Sequence, residues 1–200
     1  MFSEANPMLF DTITWRDETL HICISEFENF HHLGSEALIR LAENQSRRVL
    51  AVQFFDSSMI VDEMHLLCAT QNAYNAMRGG YMRARSLDVE IALYASAQNQ
   101  IGVALDLMGI ADATRTLDVI ILGNTKQNVE QSLREISSII GPEVEQAFTM
   151  TKQKLKSLMN IFNISDSELE LFVEQEDIIA YQRALSKCVA SRISQVALTS

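Results

Sequence analysis

The sequence predicts an α/β (α+β) fold, with a mixed or antiparallel sheet of three to five strands packed with helices and a helical C-terminal third. Three observations predict it. Residues 19–25 (TLHICIS) alternate with the period of a strand, placing Leu20, Ile22 and Ile24 on one face and His21 and Cys23 on the other. Residues 49–55 (VLAVQFF) and 117–122 (LDVIIL) are short apolar runs with β-branched residues, bounded by polar ones, as buried strands are. Between and after these runs the apolar residues recur every three or four positions, and beyond residue 151 only that helical spacing remains. Connections this short between some strands favour a mixed or antiparallel sheet over a doubly wound one.

Each element has a local justification. Residues 1–15 carry Pro7 and no sustained period, which reads as a loose lead-in with a short strand near Phe10 to Ile13. Gly34 and Ser35 open a short helix with Ala37, Leu38 and Leu41 inward and Ser35 as its N-cap. A second helix follows Asp62 and Glu63, whose charge suits the first turn, and stops at Gly79 and Gly80. The stretch from Arg83 to Ile110 carries the most pronounced helical stripe, with Leu87, Ile91, Tyr94, Ile101, Leu105 and Met108, and its polar run 96–100 is expected to break it near Ala97. Val129, Leu133, Ile136 and Ile140 mark a helix ended by Gly141 and Pro142, and 144–150 reads as a fourth strand. Leu155, Met159 and Phe162 mark another helix, and Ser165 with Glu168 forms a capping box. Ile178, Leu185, Val189, Ile193 and Val196 line one long terminal helix. The 200 residues fit a single domain, divided into the lead-in 1–15, an α/β core 16–150 and a helical part 151–200.

Composition narrows the chemistry. A formal charge of −10 argues against a general electrostatic grip on nucleic acid, which needs clustered Lys and Arg. Cys23, Cys68 and Cys188 form no CxxC and leave one over, so neither a disulfide framework nor a zinc ribbon is expected, and the usage suits a reducing cytosol. The first residues lack a basic, long apolar leader, and no run approaches the roughly 18 apolar residues of a membrane span, so a cytoplasmic protein without a membrane partner is expected.

No metal or cofactor is expected either. His31 and His32 point apart as neighbours, His65 has no second ligand four residues on, and no HExxH is present. There is no GxSxG elbow, GxGxxG or P-loop, and Asp56, Asp62 and Glu63 read as ordinary acids in an acidic chain. Arg78, Arg83 and Arg85 stand out, because three arginines with Tyr81 among them occupy eight residues of this acidic protein. Such a cluster is either a solvated loop or a surface on which guanidinium groups meet phosphates and a ring stacks on an unpaired base.

The segment AVQFFDSSMIVDEMHLLCATQNAYNAMRGG followed by SLDVEIALYASAQNQIGVALDLMGI resembles the small non-catalytic subunit family of the KEOPS complex, the PRPK-binding protein family. The likeness rests on Gln53-Phe54-Phe55-Asp56, on Glu63-Met64-His65-Leu66, and on the run from Glu90 to Ser96. It continues through Gln100-Ile101, Ala104-Leu105 and Gly109-Ile110, and more weakly in the terminal SRISQVAL. The resemblance implies a non-enzymatic protein that binds the kinase-like ATPase subunit of KEOPS and recruits tRNA by its 3′-CCA end for threonylcarbamoyladenosine modification. It implies an apolar surface of Leu87, Ile91 and Tyr94 for the tRNA end, Arg78, Arg83 and Arg85 as phosphate partners, and Gln98 and Gln100 beside them. Tyr94 is then expected to be partly exposed. For the kinase-like partner it implies the last helix, through Val189, Ile193, Val196 and Leu198. Where the family reads Gly-x-Arg-Gln-Ile, this chain has Ala97-Gln98-Asn99-Gln100-Ile101, which loses an arginine. The alternative is a protein-interaction module that regulates a kinase without binding RNA.

Overall fold

The computed structural model describes residues 8–111 and 113–198, and its chain divides into two compact units. One unit comprises residues 1–57 and 109–147, the other 58–108 and 148–200.

The first unit is a four-stranded antiparallel sheet in the order β1-β2-β4-β3. Strands β1 (Met8–Trp15) and β2 (Glu18–Glu28) form a hairpin in which Trp15 faces Glu18 and Arg16 takes a left-handed conformation, φ 54°. Most of the expected loose lead-in is therefore a full strand, paired to β2 along its length, while residues 1–7 of that lead-in lie outside the described residues. Helix α1 (Ser35–Gln45) packs on β3 (Ala51–Asp56), and its N-cap is Gly34, with Ser35 already inside the first turn. The central strand β4 (Thr116–Gly123) is buried from Leu117 onward, including Asp118, and its apolar run is Val119 to Leu122.

Helix α5 (Lys126–Ile140) lies on β2 and β4, and its stripe of Val129, Leu133, Ile136 and Ile140 joins Cys23, Phe27, Val52, Phe54, Val119 and Ile121 in one core. Thr125 caps α5 by accepting from the Asn128 N–H at 3.2 Å. Gly141 ends it at φ 142°, where an added Cβ would stand 2.7 Å from the Glu28 carbonyl oxygen. The expected strand at 144–150 is not formed: one bridge joins Phe27 to Glu143, Val144 N–H donates to Glu26 at 2.9 Å, and the chain then turns. Pro142 and the left-handed Phe148, φ 56°, are incompatible with a longer ladder there.

The second unit is helical. Helix α2 (Glu63–Gly79) is capped by Asp62, whose carboxylate accepts the His65 N–H at 2.9 Å, and is stopped by the left-handed Gly80, φ 75°. Ala69, Ala73 and Ala76 are fully buried along α2, small enough to let α3 (Leu87–Ala95) and α8 (Ile178–Leu198) approach it closely. The expected break is present: α3 ends at Ala95, Ala97 takes φ 52°, and α4 (Ile101–Met108) begins afresh. Helix α6 (Lys152–Ile161) packs on α8, as does the short α7 (Asp166–Glu170). The Ser165–Glu168 capping box is half made: Ser165 Oγ accepts the Glu168 N–H at 3.2 Å, but the Glu168 carboxylate lies 2.6 Å from Arg192 on α8.

Candidate functional site

All residues expected to contact RNA or a partner lie in the helical unit. Arg78 is exposed at the end of α2, and Gly80 reverses the chain so that Tyr81 N–H donates to the Ala76 carbonyl at 3.0 Å. The Tyr81 ring lies where a side chain on Gly79 would collide with it. The next residues are held by a carboxylate from the first turn of α3. Glu90 is buried at 1% exposure, and its Oε2 accepts the Arg83 N–H at 3.0 Å and the Ala84 N–H at 2.7 Å. A buried carboxylate is tolerated when its oxygens are satisfied in this way, and here it fixes the loop that carries the arginines.

The three arginines have different fates. Arg85 is exposed, like Arg78. Arg83 is half-buried and turned inward: Nη1 donates to Asn99 Oδ1 at 2.7 Å and Nη2 to the Val196 carbonyl at 2.9 Å. A cation on the last carbonyls of α8 meets the negative end of that helix's dipole. Arg83 thus ties its loop to the α3–α4 break and to the last turn of α8.

The apolar surface expected from Leu87, Ile91 and Tyr94 is not a surface. Leu87 and Ile91 are buried, and Tyr94, expected to be partly exposed, is 1% exposed with its phenol pushed up to about 12, chiefly by burial. The α3 stripe is the unit's own core. Gln98 is half-buried and donates to Ser96 Oγ through its N–H, at 3.3 Å, whereas Gln100 is exposed. On α8 the same correction applies. Val189, Ile193 and Val196 face inward and are buried, and of the four residues expected at the partner contact only Leu198 is exposed, at 84%. A helix of 21 residues packed against α2, α3, α6 and α7 needs its apolar face for that packing.

His65 explains part of this architecture. It is fully buried, its Nε2 lies 2.8 Å from the Ala95 carbonyl at the end of α3, and its Nδ1 accepts the Val61 N–H at 3.3 Å. Those two partners require the neutral tautomer with the proton on Nε2, and burial holds its pKa down to about 4. The Phe162 ring meets it edge-on at 5.4 Å. Asp62 beside it is pushed up to about 6 by burial, against the lowering effect of hydrogen bonds from the His65 N–H and from Ser186 Oγ at 2.9 Å.

None of these groups forms a reactive constellation. Among the described residues no group of three or more His, Cys, Asp or Glu is placed to hold a metal ion. Cys23, Cys68 and Cys188 are free thiols, each raised chiefly by burial, the opposite of nucleophile activation. Asp56, in the first unit, accepts Thr114 Oγ1 at 2.6 Å. No helix among the described residues is long and apolar enough to cross a membrane. One depression of the helical unit, of about 610 Å³, lies along α2, α8 and the turn before α8.

The family described as Kinase binding protein CGI-121 matches residues 30–195. The EKC/KEOPS complex subunit TPRKB of Danio rerio is 31% identical over 109 residues, which is 52% of this chain and 61% of that relative. The matched stretch thus spans less than two thirds of the relative's length, while the family match runs through both compact units. This chain belongs to the CGI-121 kinase-binding protein family.

Proposed function

We propose that the protein is a non-catalytic subunit of a KEOPS complex, which binds the kinase-like ATPase subunit and brings tRNA to it by the single-stranded 3′-CCA end for threonylcarbamoyladenosine modification. The family match over residues 30–195 carries the kinase-binding part. The complex is the one in which the Danio rerio relative is named as a subunit. The RNA part is supported by the exposed Arg78 and Arg85, with Tyr81 at 39% exposure between them, on a loop that Glu90 holds in place. With Tyr94 buried, Tyr81 is the ring that meets a base, and Gln100 stands exposed before α4.

Titration of the protein with intact tRNA and with tRNA lacking CCA tests this. Weaker binding of the shortened tRNA is expected, and equal affinity for both would sink the 3′-end role. Arg85→Glu should weaken binding and flatten its dependence on salt.

One observation favours the reading without RNA. Asn99 stands where the family has an arginine, and Arg83 is engaged with Asn99 and the end of α8. A protein-interaction module would bind the kinase-like subunit with undiminished affinity in Arg78→Glu and Arg85→Glu, and would show no tRNA binding in either form.

A further inference from the structure

The loop between α2 and α3 is tied down at Arg83 through both its main chain and its side chain. Glu90 stands in the first turn of α3 and reaches back past Ser86, the N-cap of that helix. One of its oxygens accepts two successive backbone N–H groups, those of Arg83 and Ala84. Two adjacent N–H groups aimed at one point make a seat for an anion, of a kind that also suits phosphate. Here the chain's own carboxylate fills that seat and is buried in it.

The guanidinium of Arg83 is engaged in the same manner. One terminal nitrogen donates to Asn99 beyond α3 and the other to the Val196 carbonyl on α8. A rigid planar fork that bridges acceptors on two segments fixes direction as well as distance. Tyr81 and Arg85, two residues to either side, are exposed. Residue 83 is therefore the fixed point of the loop, and its neighbours are the residues presented to solvent.

We propose that Glu90 and Arg83 are positioning residues for RNA: they touch no part of it, and they hold Tyr81 and Arg85 in the geometry that a base and its phosphate require. The proposal rests on the reading that this loop binds RNA. It separates Arg83 from Arg78 and Arg85, although the three form one cluster in the sequence. It also gives an acid a favourable part in binding a polyanion, with a sign opposite to that of its charge. Removing a carboxylate that merely stood near the loop would strengthen RNA binding, whereas removing this one weakens it, because the loop is no longer held ready.

The test is titration of the full chain with intact tRNA between about 50 and about 300 mM salt, where the slope of log affinity against log salt counts the phosphates contacted. Arg85→Gln, at an exposed position, is the reference for a phosphate contact and should lower the slope by about 0.7. Arg83→Gln should weaken Kd by about tenfold and keep the wild-type slope, since it removes no phosphate contact. Made in the Arg85→Gln background, Arg83→Gln should cost less than about half as much in log Kd, because the side chain it positions is gone. Glu90→Gln keeps the shape and loses the charge that draws both N–H groups, and should weaken Kd by about fivefold. Circular dichroism and the midpoint of thermal unfolding check that each variant folds, and if Glu90→Gln does not, the Arg83 variants decide alone. A slope lower by about 0.7 in Arg83→Gln would make Arg83 a phosphate ligand and overturn the proposal. Equal costs of Arg83→Gln in both backgrounds would leave it a residue of the fold alone, which also overturns it. Equal or tighter binding by folded Glu90→Gln would show that the carboxylate acts only through its charge, with the same result. If wild type does not bind tRNA, the RNA reading itself fails and this assignment falls with it.

Discussion

Arg83 donates to Asn99 Oδ1 at 2.7 Å across the break between α3 and α4. Asn99 is thus the acceptor for one of the chain's own arginines. Asn99→Arg would set two guanidinium groups against each other and remove a charge-assisted hydrogen bond. The expected result is a loss of roughly 1 kcal/mol in urea denaturation, largest at low salt. Unchanged stability would mean that Arg83 does not depend on Asn99.

His65 gives a pH prediction with a definite sign. Its folded pKa, about 4, lies below the 6.5 of a free imidazole, so the unfolded chain binds a proton that the folded chain refuses. Stability from this group is full above about 6.5 and is lost as pH falls toward about 4, by roughly 3 kcal/mol. Asp62, raised to about 6 from 3.8, acts in the opposite direction over nearly the same range, because its folded form takes a proton first. The two should largely cancel in the wild type. Asp62→Asn should therefore unmask a steep acid destabilisation, and the His65 ring signals in nuclear magnetic resonance should not titrate between pH about 5.5 and about 8.

Ile193 and Leu198 separate packing from contact. Ile193→Ala removes a fully buried side chain of α8 and should lower stability by about 2–5 kcal/mol in denaturant titrations. Leu198→Ala, at an exposed position, should change stability by less than about 0.5 kcal/mol. Similar losses for both would contradict the inward orientation of the Ile193 face.

Gly141 should resist substitution. Its φ of 142° and the 2.7 Å approach of a Cβ to the Glu28 carbonyl leave no room for alanine. Gly141→Ala should cost at least about 1 kcal/mol, visible as a lower midpoint of thermal unfolding.

The strands and helices were legible wherever apolar period and punctuation agreed, as in β2 with its alternation or α2 between Asp62 and Gly80. Strand β1 was not legible as a full strand, because its pairing with β2 is a tertiary fact that its own pattern expresses weakly. The larger gap concerned what the stripes are for. An apolar row on α3 or α8 has one spacing whether it packs inside the chain or against a partner, so Tyr94 and Ile193 read as contact residues and are core. The contacts that organise the arginine loop join residues far apart in sequence, such as Arg83 with Val196, and leave no local trace. Glu90 did leave one, as an acid in the first turn of α3, but Asp88 stands in the same turn, and burial is what distinguishes Glu90 from it.

The bond from Arg83 to the Val196 carbonyl couples the arginine loop to the last turn of α8. A phosphate that captures Arg83 must withdraw it from α8, leaving the last carbonyls of that helix to solvent. By thermodynamic reciprocity, whatever favours Arg83 on the Val196 carbonyl would weaken the hold of Arg83 on phosphate by the same factor.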